Sequence, residues 1–456
     1  MKRPFPLRRA AALPVVALFL AVLPMGAFAQ ATNPPAINAG DTAWVLTSAA
    51  LVLLMTVPAL ALFYGGLVRK KNVLSTIYYS FASAIIVSLL WVIGMYSLIF
   101  GVTSPDPAHE AGVRAWIGDL SYAMLNGIGV SSVHPNAATV PESVYSMFQM
   151  MFAVITVALI SGAIVERMTF GGWFVFSILW SLLVYTPLAH WVWNPEGWLW
   201  NKGALDFAGG LVVHTSSGVS ALVLVLLLGP RLGFRKEPIK PPANIGFVFV
   251  GAALLWVGWF GFNAGSAVAA NGVAGSAFLV TNTAAAFAAL TWMFMEWISH
   301  GKPTVVGAST GVVAGLVAIT PASGYVGIGG ALAIGAIVSI ISFSFMAFVR
   351  SRMRYDDALD VFSVHGLGGM WGAIATGIFA TGAVANGVKG AWYGNWPQLG
   401  VQLLSVVASV AIAVVGTVVC FYLAKVITGN RVKALDEEQS SGLDLSQHGE
   451  QLESNA

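Results

Sequence analysis

Two histidines sit inside apolar, glycine-rich stretches of this chain: His214 in DFAGGLVVHTSSG and His365 in DVFSVHGLGGMWG. An imidazole donates from one ring nitrogen, accepts at the other and changes charge near neutrality, so it can share protons or ligate a metal. Ionisable side chains at membrane depth are costly, and those that occur face a bundle interior or a pathway. Two of them, far apart in sequence, suggest one lined passage. The simpler reading makes each an interhelical hydrogen-bond partner with no further role, and a third makes them axial ligands of a haem.

The neighbours of both rings are small and helically spaced. Gly210, His214 and Gly218 are four apart, as are His365, Gly369 and Ala373. Such positions lie near one helix face, where small residues let a second helix approach closely. Asp206 opens the first stretch, where it can cap a helix start or lower the potential at a vestibule. Phe148 and Phe152 are also four apart, while Trp259, Phe262 and Ser266 lie in GWFGFNAGS and Trp193 in HWVWNPEGW. Aromatic residues so placed are ordinary packing or interfacial anchors unless something gathers them. What gathers them here is that Phe148, Trp193 and Ser266 all fall at outer helix ends.

The elements that position these residues are membrane helices. Of the 456 residues 57% are hydrophobic and 9% charged, and mean hydropathy is +0.80. A chain this apolar, with long uncharged runs, is a polytopic helical membrane protein, and its net charge of +3 carries no implication of nucleic acid. Residues 1–29 read as a signal peptide, with a basic start, an apolar middle and Ala27-Phe28-Ala29 before the cut. Eleven apolar runs follow, at about 43–68, 73–100, 144–165, 170–193, 206–229, 245–266, 274–299, 305–320, 326–349, 361–379 and 398–428. With the tail inside, fifteen of the lysines and arginines after the leader fall on the inner side; only Arg114, Lys202 and Lys389 fall outside. That asymmetry places the N-terminus outside and the C-terminus inside.

The proline-rich loop GPRLGFRKEPIKPPAN divides runs 1 to 10 into two groups of five, with run 11 following, and FYGG and FNAG echo one another at the ends of runs 1 and 6. Oppositely oriented halves are what an inverted repeat requires. Glu166, Arg167 and Glu296 at inner helix ends are expected to be snorkelling surface charges. From Lys433 the chain turns polar and acidic, and by composition is a solvated tail. The lone Cys420 excludes an internal disulfide and a cysteine metal site. HGKPT has Glu296 in place of the first glycine of a phosphate loop, so no ATP-driven chemistry is legible, and the chain reads as a non-enzyme without a cofactor.

FYGGLVRKKNVLS, FQMMFAVITVALISGAIVERM, DFAGGLVVH, GWFGFNAGS, TPASGYVGIGGA, DDALDVFSVHG and GLDLSQHGE together resemble the ammonium transporters of the Amt/MEP/Rh superfamily, the bacterial Amt branch above all, over about residues 41–450. The resemblance implies an all-α fold of eleven transmembrane helices around a central pore, in a homotrimer in a bacterial inner membrane. It divides the chain into a leader at 1–29, a transporter domain at 30–428 and a regulatory tail at 429–456. It further implies an outer recruitment site at Phe148, Trp193 and Ser266, a stacked gate at Phe152 and Phe262, and a twin-histidine pore at His214 and His365. By the same likeness Asp206 is the acid near the entrance, Thr320 belongs to the outer region and Trp259 lines the pore. The implied partner is a PII-type nitrogen-signalling protein at the cytoplasmic mouth. Glu453, where the family often has tyrosine, and Ala358-Leu359 after the paired aspartates depart from the pattern, both in the regulatory region. An ammonium sensor and a Rh-type ammonia or carbon dioxide channel are the other functions the resemblance admits; the FQ pair at Phe148-Gln149 and Trp193 favour the Amt side.

Overall fold

The computed structural model describes residues 37–101, 112–237, 241–352, 355–384 and 387–452. The expected leader lies outside them, as do Lys240, Arg354 and Glu453. The described residues are helical, with an isolated bridge between Met168 and Lys433 and no strand.

In chain order the apolar helices are α1 (Ala39–Leu67), α2 (Lys70–Phe100), α3 (Glu142–Ile164), α4 (Phe170–Asn201), α5 (Gly210–Leu228), α6 (Ile245–Gly265), α7 (Gly272–His300), α8 (Val305–Ile319), α9 (Ile328–Arg352), α10 (362–379) and α11 (Trp396–Ile427). Among the described residues nine are long and apolar enough to cross a membrane; α8 is too short, and α10 is diluted by His365 and its glycines. Helices suit this chain because lipid offers no partner to backbone amides, so each segment must satisfy its own. The starts are capped by residues suited to it: Asn38, Thr169, Asn244, Asn271 and Thr304 each accept from amides of the following turn.

The most apolar stretch of α3 is 89% buried and that of α11 33%, which makes α3 the axis of the bundle and α11 a peripheral strut. Helix α3 packs on α1, α2 and α5; α5 crosses α10 and α11; α6 lies along α1, α7 and α8. Wider π-type turns interrupt α1 at Met55–Leu60, α2 at Trp91–Met95, α4 at Ser181–Tyr185, α5 at Gly210–Thr215 and α10 at Phe362–Gly366. Pro58 accounts for the first. The last two hold the histidines, and inserted turns of this kind concentrate at functional positions.

Two expectations are corrected at the face that carries the C-terminus. Glu166 and Arg167 are 2% and 0% exposed, not surface charges. Glu166 pairs with Arg69 at 2.7 Å and Arg231 at 3.4 Å; Arg231 Nη2 reaches Asp356 at 2.6 Å; Arg167 contacts Asp356 through side chain and carbonyl. Burial by itself would raise the two carboxyls, but Arg231 and Arg69 hold Glu166 below its usual range, and Arg231 with Arg167 does the same for Asp356. The second correction concerns the tail. Its polar composition masks an ordered segment: a short helix α12 (Asp436–Ser441) and a turn at Asp444–His448 lie against the bundle. Buried Asp444 accepts from the amides of Ser75 at 2.7 Å and Leu74 at 3.0 Å, capping α2 from the far end of the chain. Buried Gln439 accepts from Leu232 N, and Lys71 Nζ donates to the carbonyls of Gln439 and Ser440. These polar residues are used up on backbone groups, which composition cannot register.

Candidate functional site

The π-type turn of α5 begins just after Gly209, whose φ of +110° suits glycine alone. Asp206 fixes that start. One carboxylate oxygen accepts from Gly209 N at 2.9 Å and Gly210 N at 2.5 Å, the other from Leu211 N at 2.8 Å and Val212 N at 3.1 Å. Four orphan amides are thus satisfied by one buried side chain, the capping role its position suggests. His214 follows one turn later, 1% exposed.

Helices α5 and α10 cross through reciprocal glycines. A β-carbon on Gly369 would stand 2.7 Å from Gly210 O and Thr215 N and 2.9 Å from His214 Cβ; one on Gly218 would strike the backbone of Gly366. Because neither exists, the rings meet: His214 Nδ1 and His365 Nδ1 are 3.2 Å apart, and the ring centroids are 5.3 Å apart with the planes inclined by 27°. One of the two nitrogens must be the donor and the other the acceptor. Nε2 of His214 is buried and has no hydrogen-bond partner. Direct contact between the rings leaves no room for a macrocycle, which rules out haem ligation by this pair.

From the histidines a file of rings continues through α6, α3 and α4. His214 stacks on Trp259 at 5.4 Å and meets Phe262 at 6.0 Å; Phe262 stacks on Phe152 at 4.3 Å; Phe152 meets Phe148 edge-on at 4.9 Å and Trp193 edge-on at 5.8 Å. Trp259 donates to Thr320 Oγ1 at 2.9 Å, and Thr320 donates onward to Leu316 O. Trp193 donates from its indole to Asp206 O at 3.0 Å. Ser266, half-buried one turn after Phe262, donates its hydroxyl proton to Phe262 O at 2.8 Å. It joins the group through its neighbour Gly265, where a β-carbon would lie 3.0 Å from Phe148. The residues named from sequence therefore converge on one buried file, with Ser266 at its margin.

Sequence reasoning missed the polar support behind the file. Asn136 Nδ2 donates to Trp193 O at 2.9 Å, and Gln149 Nε2 donates to Tyr145 Oη at 3.3 Å. His134 places Asn136: its Nδ1 accepts from Asn136 N at 3.2 Å, its Nε2 faces Phe100 O at 3.1 Å, and its ring stacks on Tyr145 at 4.9 Å. Burial pushes the His134 pKa down to about 4 against the opposing pull of the Phe100 carbonyl. The only hint in sequence is the His-Pro-Asn string, a common turn former.

Fold and site together define a multi-pass helical membrane protein with an aromatic and histidine file through its interior. The model of the Ammonium Transporter Family matches residues 43–453, and the chain belongs to that family. It is 47% identical over 412 residues to the ammonium transporter of Bacillus subtilis, covering 90% of this chain and 98% of that one. It superposes on Mep2 of Saccharomyces cerevisiae with a TM-score of 0.80 at 34% identity, covering 88% of this chain and 89% of that one. A structure named Sensor Amt Protein matches with a TM-score of 0.79 at 27% identity, covering 90% and 98%.

Proposed function

We propose that this chain carries ammonium across a bacterial inner membrane, binding it at an outer aromatic site, removing a proton and passing ammonia along the interior file. The observation that carries this reading is the direct Nδ1 to Nδ1 contact of His214 and His365 at the end of a stack of rings. Ammonium and potassium are alike in size and charge, so selection must use the N–H groups and the removable proton. Taking an ion out of water into an apolar tube is prohibitive unless its charge is lost or matched. Ammonium can shed a proton and potassium cannot.

In this reading the face of Trp193 and Phe148 attract the cation, a contribution on the order of 1–2 kcal/mol once desolvated. Ser266 has already given its proton to Phe262 O, which leaves its oxygen lone pairs for an incoming N–H. The Phe152 and Phe262 stack closes the path and must shift to admit a molecule. Beyond it the histidines accept and return a hydrogen bond or relay the released proton. Trp259, tied to Thr320, holds the His214 ring in place, and Asp206 holds the helix start beneath it.

The same proposal has eleven spans in an inverted five-plus-five repeat, the N-terminus outside after loss of residues 1–29, and the C-terminus inside; the lysine and arginine asymmetry supports the orientation. Three copies assemble, and a PII-type protein binds the inner face, where the tail segment 429–456 takes part in control. Retention of such a protein in a pull-down with and without ATP and 2-oxoglutarate tests the partner. One observation favours a second reading, ammonium sensing. The likeness to the Sensor Amt Protein accompanies a tail tied to the start of α2 and to the 166–169 turn, which couples the bundle to a surface a partner can read.

The deciding experiment is current across proteoliposomes on an ammonium jump, with an equal potassium jump as control. Current for ammonium alone is expected. A rise of internal pH without current would mean that ammonia crosses and the proton does not, and neither signal from oriented protein would overturn transport in favour of sensing.

A further inference from the structure

Trp193 is the last helical residue before a break in α4. Asn194 is extended, with φ −84° and ψ 135°, so the Trp193 carbonyl has no acceptor duty inside the helix. Asn136 supplies the missing donor from a segment 57 residues earlier in the chain. Its amide can face a carbonyl only with the nitrogen, so chemistry fixes its orientation. The indole of the same tryptophan is tied separately, to Asp206 O. Backbone and ring are therefore pinned by two independent bonds from two different segments.

Asn136 is held in its turn. Its backbone amide donates to His134 Nδ1, and the His134 ring lies flat on Tyr145 with an interplanar angle of 17°. Tyr145 receives Gln149, the neighbour of Phe148 on α3, and its hydroxyl is 3.5 Å from Asn136 Nδ2. The lattice thus links the helix that bears Phe148 and Phe152 with the helix end that bears Trp193.

We propose that Asn136 is a positioning residue that sets Trp193 against Phe148 and Phe152, and so fixes the affinity of the outer cation site. The proposal rests on the reading that Trp193 receives the cation. Such a site works through ring placement, because cation–π attraction is felt only within about 6 Å of a ring centroid.

The test measures ammonium current against concentration in proteoliposomes for Asn136→Leu, Asn136→Asp, Asn136→Gln and Trp193→Leu. Asn136→Leu removes the donor; Asn136→Asp keeps the shape but turns an acceptor towards the carbonyl. Both should raise the half-saturating ammonium concentration about three- to tenfold, the scale of one neutral hydrogen bond, with maximal current within about twofold. Asn136→Gln, which retains a donor, should recover part of the loss. In the Trp193→Leu background Asn136→Leu should add no further shift, since the two act as one unit. An unchanged half-saturation in both donor-less variants while Trp193→Leu shifts it overturns the proposal and leaves the recruitment reading standing. Additive shifts in the double variant also overturn it. No shift for Trp193→Leu removes the recruitment reading and this proposal with it. Should Asn136→Leu fail to insert, the isosteric Asn136→Asp decides the matter.

Discussion

Two of the places where the protein buries ionisable side chains treat them in opposite ways. At the tail face, Glu166, Asp356, Arg231 and Arg167 form a closed knot in which only Nε of Arg167 lacks a partner. Along the file, His214 and His365 share a single bond, and His214 Nε2 has no partner. A buried charge must be compensated or the fold fails. A neutral imidazole tolerates an idle nitrogen, and under the proposed transport that nitrogen is what a passing molecule would use. The contrast separates groups that hold the bundle together from groups kept available.

The sharpest way to break this contrast is to remove one member of the knot. Asp356→Ala leaves Arg167 and Arg231 without their shared carboxylate and should cost about 3–5 kcal/mol, read as loss of monodisperse protein in detergent at a much lower temperature. A change no larger than that of an exposed pair would erase the distinction. Acid should act alike. Glu166 and Asp356 are held below their ordinary values of 4.5 and 3.8, so their stabilisation is complete above those values and is lost as pH falls through the lowered ones. A thermal-melting series from pH 6 downward, compared with Asp356→Asn, reads that loss.

Next in size is Gly369→Ala, whose new methyl meets the α5 backbone at 2.7 Å. Overpacking of this kind costs about 1–3 kcal/mol, and ammonium current should fall further than stability does because the rings are pushed apart. Equal losses in the two would make the crossing merely structural. For His214→Ala and His365→Ala the loss should again fall on transport more than on folding. The variants should still insert and run monodisperse in detergent, while ammonium flux or its selectivity over potassium drops about tenfold or more, equivalent to roughly 1.4 kcal/mol in the barrier. Unchanged flux and selectivity in inserted protein would sink the role.

The smallest expected effect concerns His134. Its folded value near 4 lies below the ordinary 6.5, so the neutral ring stabilises fully above 6.5, and the gain fades as pH drops towards 4. The half-saturating ammonium concentration, a property of the folded protein, should stay flat until the pH falls through about 4, rise modestly there, and not change in His134→Gln.

What sequence could reveal followed from whether partners were near or periodic. His214 and His365 announced their meeting because glycines recur at helical spacing beside each, and Asp206 announced its cap because its four amides lie within six residues. Glu166 and Arg167 misled because a charged pair at a helix end normally faces water, whereas Asp356, the partner of Arg167, lies 189 residues away. The tail misled for a related reason: Asp444 and Gln439 serve backbone amides of distant segments, and an amide has no letter in the sequence. The π-type turns around both histidines are equally silent, since nothing but an extra residue per turn distinguishes them.

The meeting of two like nitrogens makes the histidine pair a device with memory. Two neutral imidazoles joined Nδ1 to Nδ1 hold one proton between them, so one ring offers a bare Nε2 and the other a protonated one. A proton taken up at the bare end, shifted across the shared bond and released at the other end leaves the pattern inverted. A second proton cannot follow in the same direction until each ring has returned to its starting tautomer. If protons travel this way, the ceiling on turnover is the reset of two buried rings that meet edge to edge, one of them stacked on Trp259, rather than the passage of the substrate.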